Sequence, residues 1–143
     1  MKVKCINNTA KVLMNYPKKP LGISENSKYG LLEIGKEYLV MGIITGEGML
    51  NYLIDDSGII STCAYQLFDI IDNNLPSNWF FKAYTNNDDV YPYREAIWGY
   101  YELCNDVNHY EQLIEHEEVA LHIYFRRKVE IERNNVSDLE LLK

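Results

Sequence analysis

The sequence predicts an α+β fold: a small SH3-like antiparallel β-barrel over 1–72, then an extra β segment and a C-terminal helical region over 73–143. Three observations predict it. Short alternating or β-branched runs separated by Gly-containing turns fill the first half. An apolar run of helical period, with acids before it and bases after it, lies near the end. At 143 residues a single domain spanning 1–143 is expected, with enough chain to bury a core without disulfide or metal support.

The elements follow in order. "KVKCI" at 2–6 alternates polar and apolar, as a half-buried strand does. Residues 15–30 are dense in Asn, Lys, Pro and Gly, which predicts a long loop, and 31–36 leads into the next strand. "EYLVMGIIT" at 37–45, "MLNYLID" at 49–55 and 59–63 are three strand-like runs joined by turns at 46–48 and 56–58. Together they make a meander of consecutive hairpins. Val40, Ile43, Leu53, Ile54 and Leu67 are its expected core. "AYQLF" at 64–68 reads as one helical turn before a last strand at 69–71.

After a linker at 73–77, "WFFKAY" at 79–84 reads as a strand and 85–92 as a polar loop. "AIWGYYEL" at 96–103 is ambiguous. Its Ile, Trp and Tyr favour a strand pairing with 79–84, while 93, 96, 97, 100 and 104 also fit a helix face. We take the strand, with Trp79, Phe80 and Trp98 in the core. Asn108 with Glu111 three residues later matches a capping box. Tyr110, Leu113 and Ile114 fit one helical face, and Val119, Ala120, Ile123 and Tyr124 another, as one helix or two joined near Glu115. Arg126, Arg127 and Lys128 are expected to end it, and 129–143 carries no clear signal.

The chemistry of known catalytic motifs is missing. His109, His116 and His122 do not share a face of one straight helix closely enough to grip one ion, and "HEEVALH" is not HExxH. No GxSxG occurs, and Cys104 with His109 is the only Cys near a His in sequence. Gly46-Glu47-Gly48 lacks the remaining glycines and following helix of a phosphate loop. Asp55-Asp56 sits at a turn, where Asp serves its own backbone, and is a remote candidate for an acid/base pair. No catalytic residue, cofactor or metal is expected. The three cysteines are odd in number and form no CxxC, which reads as reduced thiols in a cytoplasmic protein. The first residues hold no apolar run of signal-peptide length, and no stretch is long enough to span a bilayer.

Charge is the sharper clue. The net charge is −7, but residues 1–68 carry +1 and residues 69–143 carry −8. The window 69–118 has eleven acids against Lys82 and Arg94. Such a field repels nucleic acid and anionic membrane and attracts a basic protein. Within it, "NDDVYPYREAIWGYYELCND" at 87–106 places five aromatic rings among carboxylates, with Arg94 the sole base. Tyr and Trp give large contact area at low entropy cost, and surrounding carboxylates steer a basic partner. The partner-binding candidates are Asp88, Asp89, Tyr91, Tyr93, Glu95, Tyr100, Tyr101, Asp106 and Glu111. The plainer alternative is that the acids serve solubility and the rings serve packing.

The stretches "IGKEYLVMGII", "YLIDDSGII", "YQLFDIIDNNLPSNWFF" and "AIWGYYELCND" resemble a family of small bacterial proteins similar to immunity proteins of polymorphic toxin and contact-dependent growth inhibition systems. The resemblance spans about 34–128 and offers no catalytic residue to carry over. It implies a cytoplasmic antidote that binds the C-terminal domain of a cognate toxin, often a basic nuclease such as an RNase, and blocks its active site. The rival expectations are a non-catalytic interaction or regulatory module unrelated to toxins, and an enzyme whose site is not recognisable in sequence.

Overall fold

The computed structural model describes residues 1–16, 23–85, 88 and 94–143. It is an α+β structure with three layers: a three-stranded antiparallel sheet, a five-stranded antiparallel sheet, and helices. The small sheet consists of β1 (Lys2–Cys5), β2 (Glu37–Leu39) and the strand Phe68–Asp72, in order β2-β1-β6 with Phe68–Asp72 as β6. The large sheet holds β3 (Gly42–Gly46), β4 (Met49–Asp56), β5 (Ile59–Ala64), β7 (Phe80–Ala83) and β8 (Arg94–Gly99), in order β5-β4-β3-β8-β7.

The expected meander is present, with no helix within 37–55. Its two turns use left-handed backbone at Glu47 and Gly48 and again at Ser57 and Gly58. Two consecutive positive φ values match the twist of a two-residue hairpin. A 3-10 turn at Tyr65–Leu67 precedes β6, as "AYQLF" suggests. Val40, Leu53, Ile54 and Leu67 are buried, while Ile43 is only partly so. Residues 10–15, just before the expected loop, form a 3-10 helix (Ala10–Asn15) whose Ala10 and Leu13 pack under Ala64.

The strands do not close into one barrel. The chain changes sheets between two adjacent residues: the Val40 N–H donates to Met1 O (3.1 Å), and the Met41 N–H donates to Leu53 O (2.8 Å). The first bond belongs to β1 and the second to β4, so a single apolar run is bent into β2 and β3. Beyond β3 the large sheet continues outward to β8 and β7 rather than back to β6.

Each face of the large sheet has its own core. Tyr52, Ile54 and Cys63 face the small sheet and pack with Val3, Tyr38 and Phe68. Ile44, Leu53 and Ile97 face the helices, where Tyr100, Leu113 and Tyr124 complete the cluster. The alternation of strand side chains dictates this division. Asp55 and Asp56 end β4 on opposite faces. Asp55 accepts from the Tyr124 hydroxyl (3.0 Å) and Lys128 Nζ (2.8 Å), whereas Asp56 accepts from Lys36 Nζ (2.6 Å) and the Tyr38 hydroxyl (2.9 Å). They pin two different layers to one strand and do not form an acid/base pair.

The helical region holds α1 (Tyr101–Asn105), α2 (His109–Ile114) and α3 (Glu118–Leu141). The helix seen from 109 onward is two, separated by a turn in which His116 has a φ of 60°. α3 runs through 129–141, so Arg126, Arg127 and Lys128 lie mid-helix and do not complement its C-terminal dipole. Ala120, Tyr124 and Ile131 form its buried stripe at spacings of four and seven. No helix among the described residues is long and apolar enough to cross a membrane.

Candidate functional site

The segment 96–103 resolves into both alternatives in succession. β8 pairs with β7 as expected, with Phe81 opposite Trp98, and ends at Gly99. The chain then turns into α1 at Tyr101. A glycine pair permits the reversal. Gly42 and Gly99 are cross-strand neighbours, and a Cβ on either would lie 2.5 Å from Leu103 Cδ2. Leu103 therefore folds back onto bare backbone, holding α1 close against β8.

This turn sends two adjacent tyrosines in opposite directions. Tyr100 is 2% exposed, and its hydroxyl shares a 2.6 Å hydrogen bond with His109 Nε2. Tyr100 is thus core and not a contact residue: the helix beginning right after it turns its ring under α2. Tyr101 is 52% exposed and meets Phe80 edge-on, centroids 5.3 Å apart. Phe80, expected inside, is 46% exposed, and its neighbour Phe81 is 56% exposed. β7 is the outer strand of the large sheet, with no strand on its other side among the described residues. The small sheet packs over the β4–β5 region, and all four residues of β7 are exposed. Phe81 rests on Trp98, centroids 4.8 Å apart, and Trp98 is partly exposed. Phe80, Phe81, Trp98 and Tyr101 therefore form an aromatic ledge wrapped around a sheet edge.

The nearby acids each have a local task. Asp88 Oδ2 accepts from the Thr85 N–H (2.7 Å) and hydroxyl (3.1 Å), shaping the β7–β8 connection. These bonds to the carboxylate hold it below the usual range. Glu95 Oε1 accepts from the Gly48 N–H (3.2 Å). Asp106 Oδ1 accepts from the Asn108 N–H (3.0 Å). Asn108 itself makes no side-chain cap, so the capping box with Glu111 does not form; the Asp106 bond instead closes a tight turn just ahead of α2. Glu102 is the acid with strong partners: Arg127 binds it through Nε and Nη2, both at 2.8 Å, and Arg126 adds a 3.3 Å contact. The Arg127 bonds pull the Glu102 carboxyl below its usual range. Asp88, Glu95, Asp106 and Glu111 form no ion pair among the described residues.

Of the sequence-derived candidates, Tyr101 belongs to the ledge, while Asp88 sits in the β7–β8 connection, Glu95 within β8 and Asp106 just after α1. Glu111 does not join them: α2 packs against β5, the opposite edge strand, where the Tyr110 hydroxyl meets Thr62 Oγ1 at 3.3 Å. Asp89, Tyr91 and Tyr93 lie outside the described residues. The phenylalanines were missed because hydrophobicity alone does not reveal that a strand is an outer one. Lys82, a charge centred in "WFFKAY", is the edge signal the sequence did contain.

Among the described residues no three His, Cys, Asp or Glu side chains gather to hold a metal ion. Cys5, Cys63 and Cys104 are buried free thiols, and burial pushes Cys104 up to about 11, far from a nucleophilic thiolate at neutral pH. No family model, curated protein or solved structure compared with the chain matches it.

Proposed function

We propose that this chain is a cytoplasmic, non-catalytic immunity protein that binds a cognate bacterial toxin domain, a basic nuclease of RNase type, and blocks its active site. The observation that carries the binding part is the aromatic ledge on the uncovered β7 edge. Exposed aromatic side chains clustered on one edge are expensive to leave in water, and such clusters mark interaction sites. The acids give the partner its sign. The hydrogen bonds to Asp88, Glu95 and Asp106 come from neutral donors, and no cation pairs with them among the described residues. A basic surface would be steered toward them.

The SH3-like reading of 1–72 belongs to the same proposal. The order β2-β1-β6 against β3-β4-β5, the bend at Val40–Met41 and the 3-10 turn before the last strand support it. In that reading β7, β8 and the helices are an addition that carries the binding edge.

The test is co-purification and inhibition. The tagged protein is expressed with a panel of basic nuclease toxin domains, and nuclease activity is measured with and without it. Stoichiometric capture and inhibition of one domain supports the reading. Failure to capture any, with a folded protein, removes the toxin assignment.

A further inference from the structure

We propose that the cleft around Arg94 is a binding site for a small organic acid carrying one carboxylate. This site is separate from the aromatic ledge and does not depend on the toxin reading. Arg94 is 5% exposed, yet it forms no ion pair among the described residues. Its guanidinium lies over the Tyr110 ring at 4.7 Å and near the Tyr84 ring at 5.5 Å. Those rings offset part of the charge. They accept no conventional hydrogen bond, and Nε and Nη2 are both fully buried with no partner among the described residues. These two nitrogens share one edge of the guanidinium, the edge that grips both oxygens of a carboxylate side-on. A buried charge with an unsatisfied fork is costly, and a ligand oxygen pair that enters from the cleft and displaces the packing over that edge would relieve it.

The surroundings define the acid. Arg94 lines a cleft of about 320 Å³, at the small end of the range for ligand sites. Thr62 and Tyr110 place two hydroxyls in it, 3.3 Å apart. Their mutual bond uses one hydrogen, so the second O–H remains a donor. Ile44 and Met49 line an apolar part that suits a hydrocarbon stem. Arg94 is the only base among the described lining residues, and Glu47 is also there. One cation beside one carboxylate disfavours phosphates and other multiply charged anions. The sequence showed Arg94 as the lone base of 87–106 but not its burial.

The experiment is an amide-resolved NMR titration of the full chain with benzoate and butyrate, and with benzamide and inorganic phosphate as controls. Saturable shifts at Thr62 and Tyr110 are expected with an acid and not with benzamide. Arg94→Lys keeps the charge but loses the fork, and affinity should fall about tenfold or more. Because a change at a buried arginine can unfold the chain, Thr62→Val is tested alongside. It leaves Arg94 in place and should weaken benzoate about fivefold. The proposal is overturned by no saturable shift with either acid, by affinity unchanged in both folded variants, or by phosphate binding as tightly as benzoate.

Discussion

Phe81 and Trp98 face each other across β7 and β8 with ring centroids 4.8 Å apart, and 56% of Phe81 still faces water. A core pair would be covered on its far side; this one ends at an outer strand. Packing and binding roles can therefore be separated at Phe81. Phe81→Ala should lower folding stability by only about 1 kcal/mol, since much of the ring is already solvated. It should cost about 2 kcal/mol or more in affinity for the partner, mostly as faster dissociation. Urea unfolding and dissociation kinetics on the same variant decide between the roles.

The Tyr100–His109 pair predicts a pH dependence. Burial lowers the pKa of His109 below its ordinary value. With the folded value depressed, its contribution to stability is complete above the unfolded value of about 6.5 and is lost as pH falls through that value toward the folded one. Stability should therefore drop between about pH 7 and pH 5, before most carboxylates titrate. Tyr100→Phe leaves His109 Nε2 without its partner and should cost about 1–2 kcal/mol. Denaturant melts at several pH values check both. A flat profile from pH 7 to 5 would remove the buried-histidine account.

Glu102 titrates in another window. Its carboxyl is held down by Arg127, so its contribution is complete above about pH 4.3 and is lost as pH falls through its lower folded value. Glu102→Gln breaks a two-point ion pair between α1 and α3 and should cost about 1–2 kcal/mol, less at high salt. Thermal melts at low and high salt test it.

The glycine pair makes a steric prediction. Gly99→Ala puts a methyl where Leu103 Cδ2 lies, with Met41 O only 3.2 Å away. A loss of about 1–3 kcal/mol is expected. Leu103→Ala removes the clash, so the double variant should lose less than the two singles summed. Strict additivity, measured by urea unfolding, would mean that α1 does not lean on the pair.

The meander was readable because each of its turns carries a glycine and its strands are β-branched or alternating runs. Gly46, Gly48 and Gly58 are local signals, and local signals survive without a structure. The end of β8 was not readable, since Gly99 matters through its neighbour Gly42, more than fifty residues earlier. Tyr100 and Tyr101 show the same limit: adjacent, chemically alike, and sent to opposite environments by one turn. The acids of 87–106 were visible as charge, but their hydrogen bonds to Thr85, Gly48 and Asn108 depend on turns that composition does not specify.

Those bonds also supply the most direct test of the central claim. Asp88→Asn, Glu95→Gln and Asp106→Asn each remove a charge and keep an acceptor oxygen for Thr85, Gly48 or Asn108. The triple variant should fold as the parent does. The measurement is its stopped-flow association rate with the captured toxin domain, at low and at high salt. The account predicts an on-rate lower by about tenfold at low salt, a flatter salt dependence and a little-changed dissociation rate. An on-rate and salt slope equal to the parent's, in a variant shown to be folded, would contradict it and leave these acids as loop-shaping groups alone.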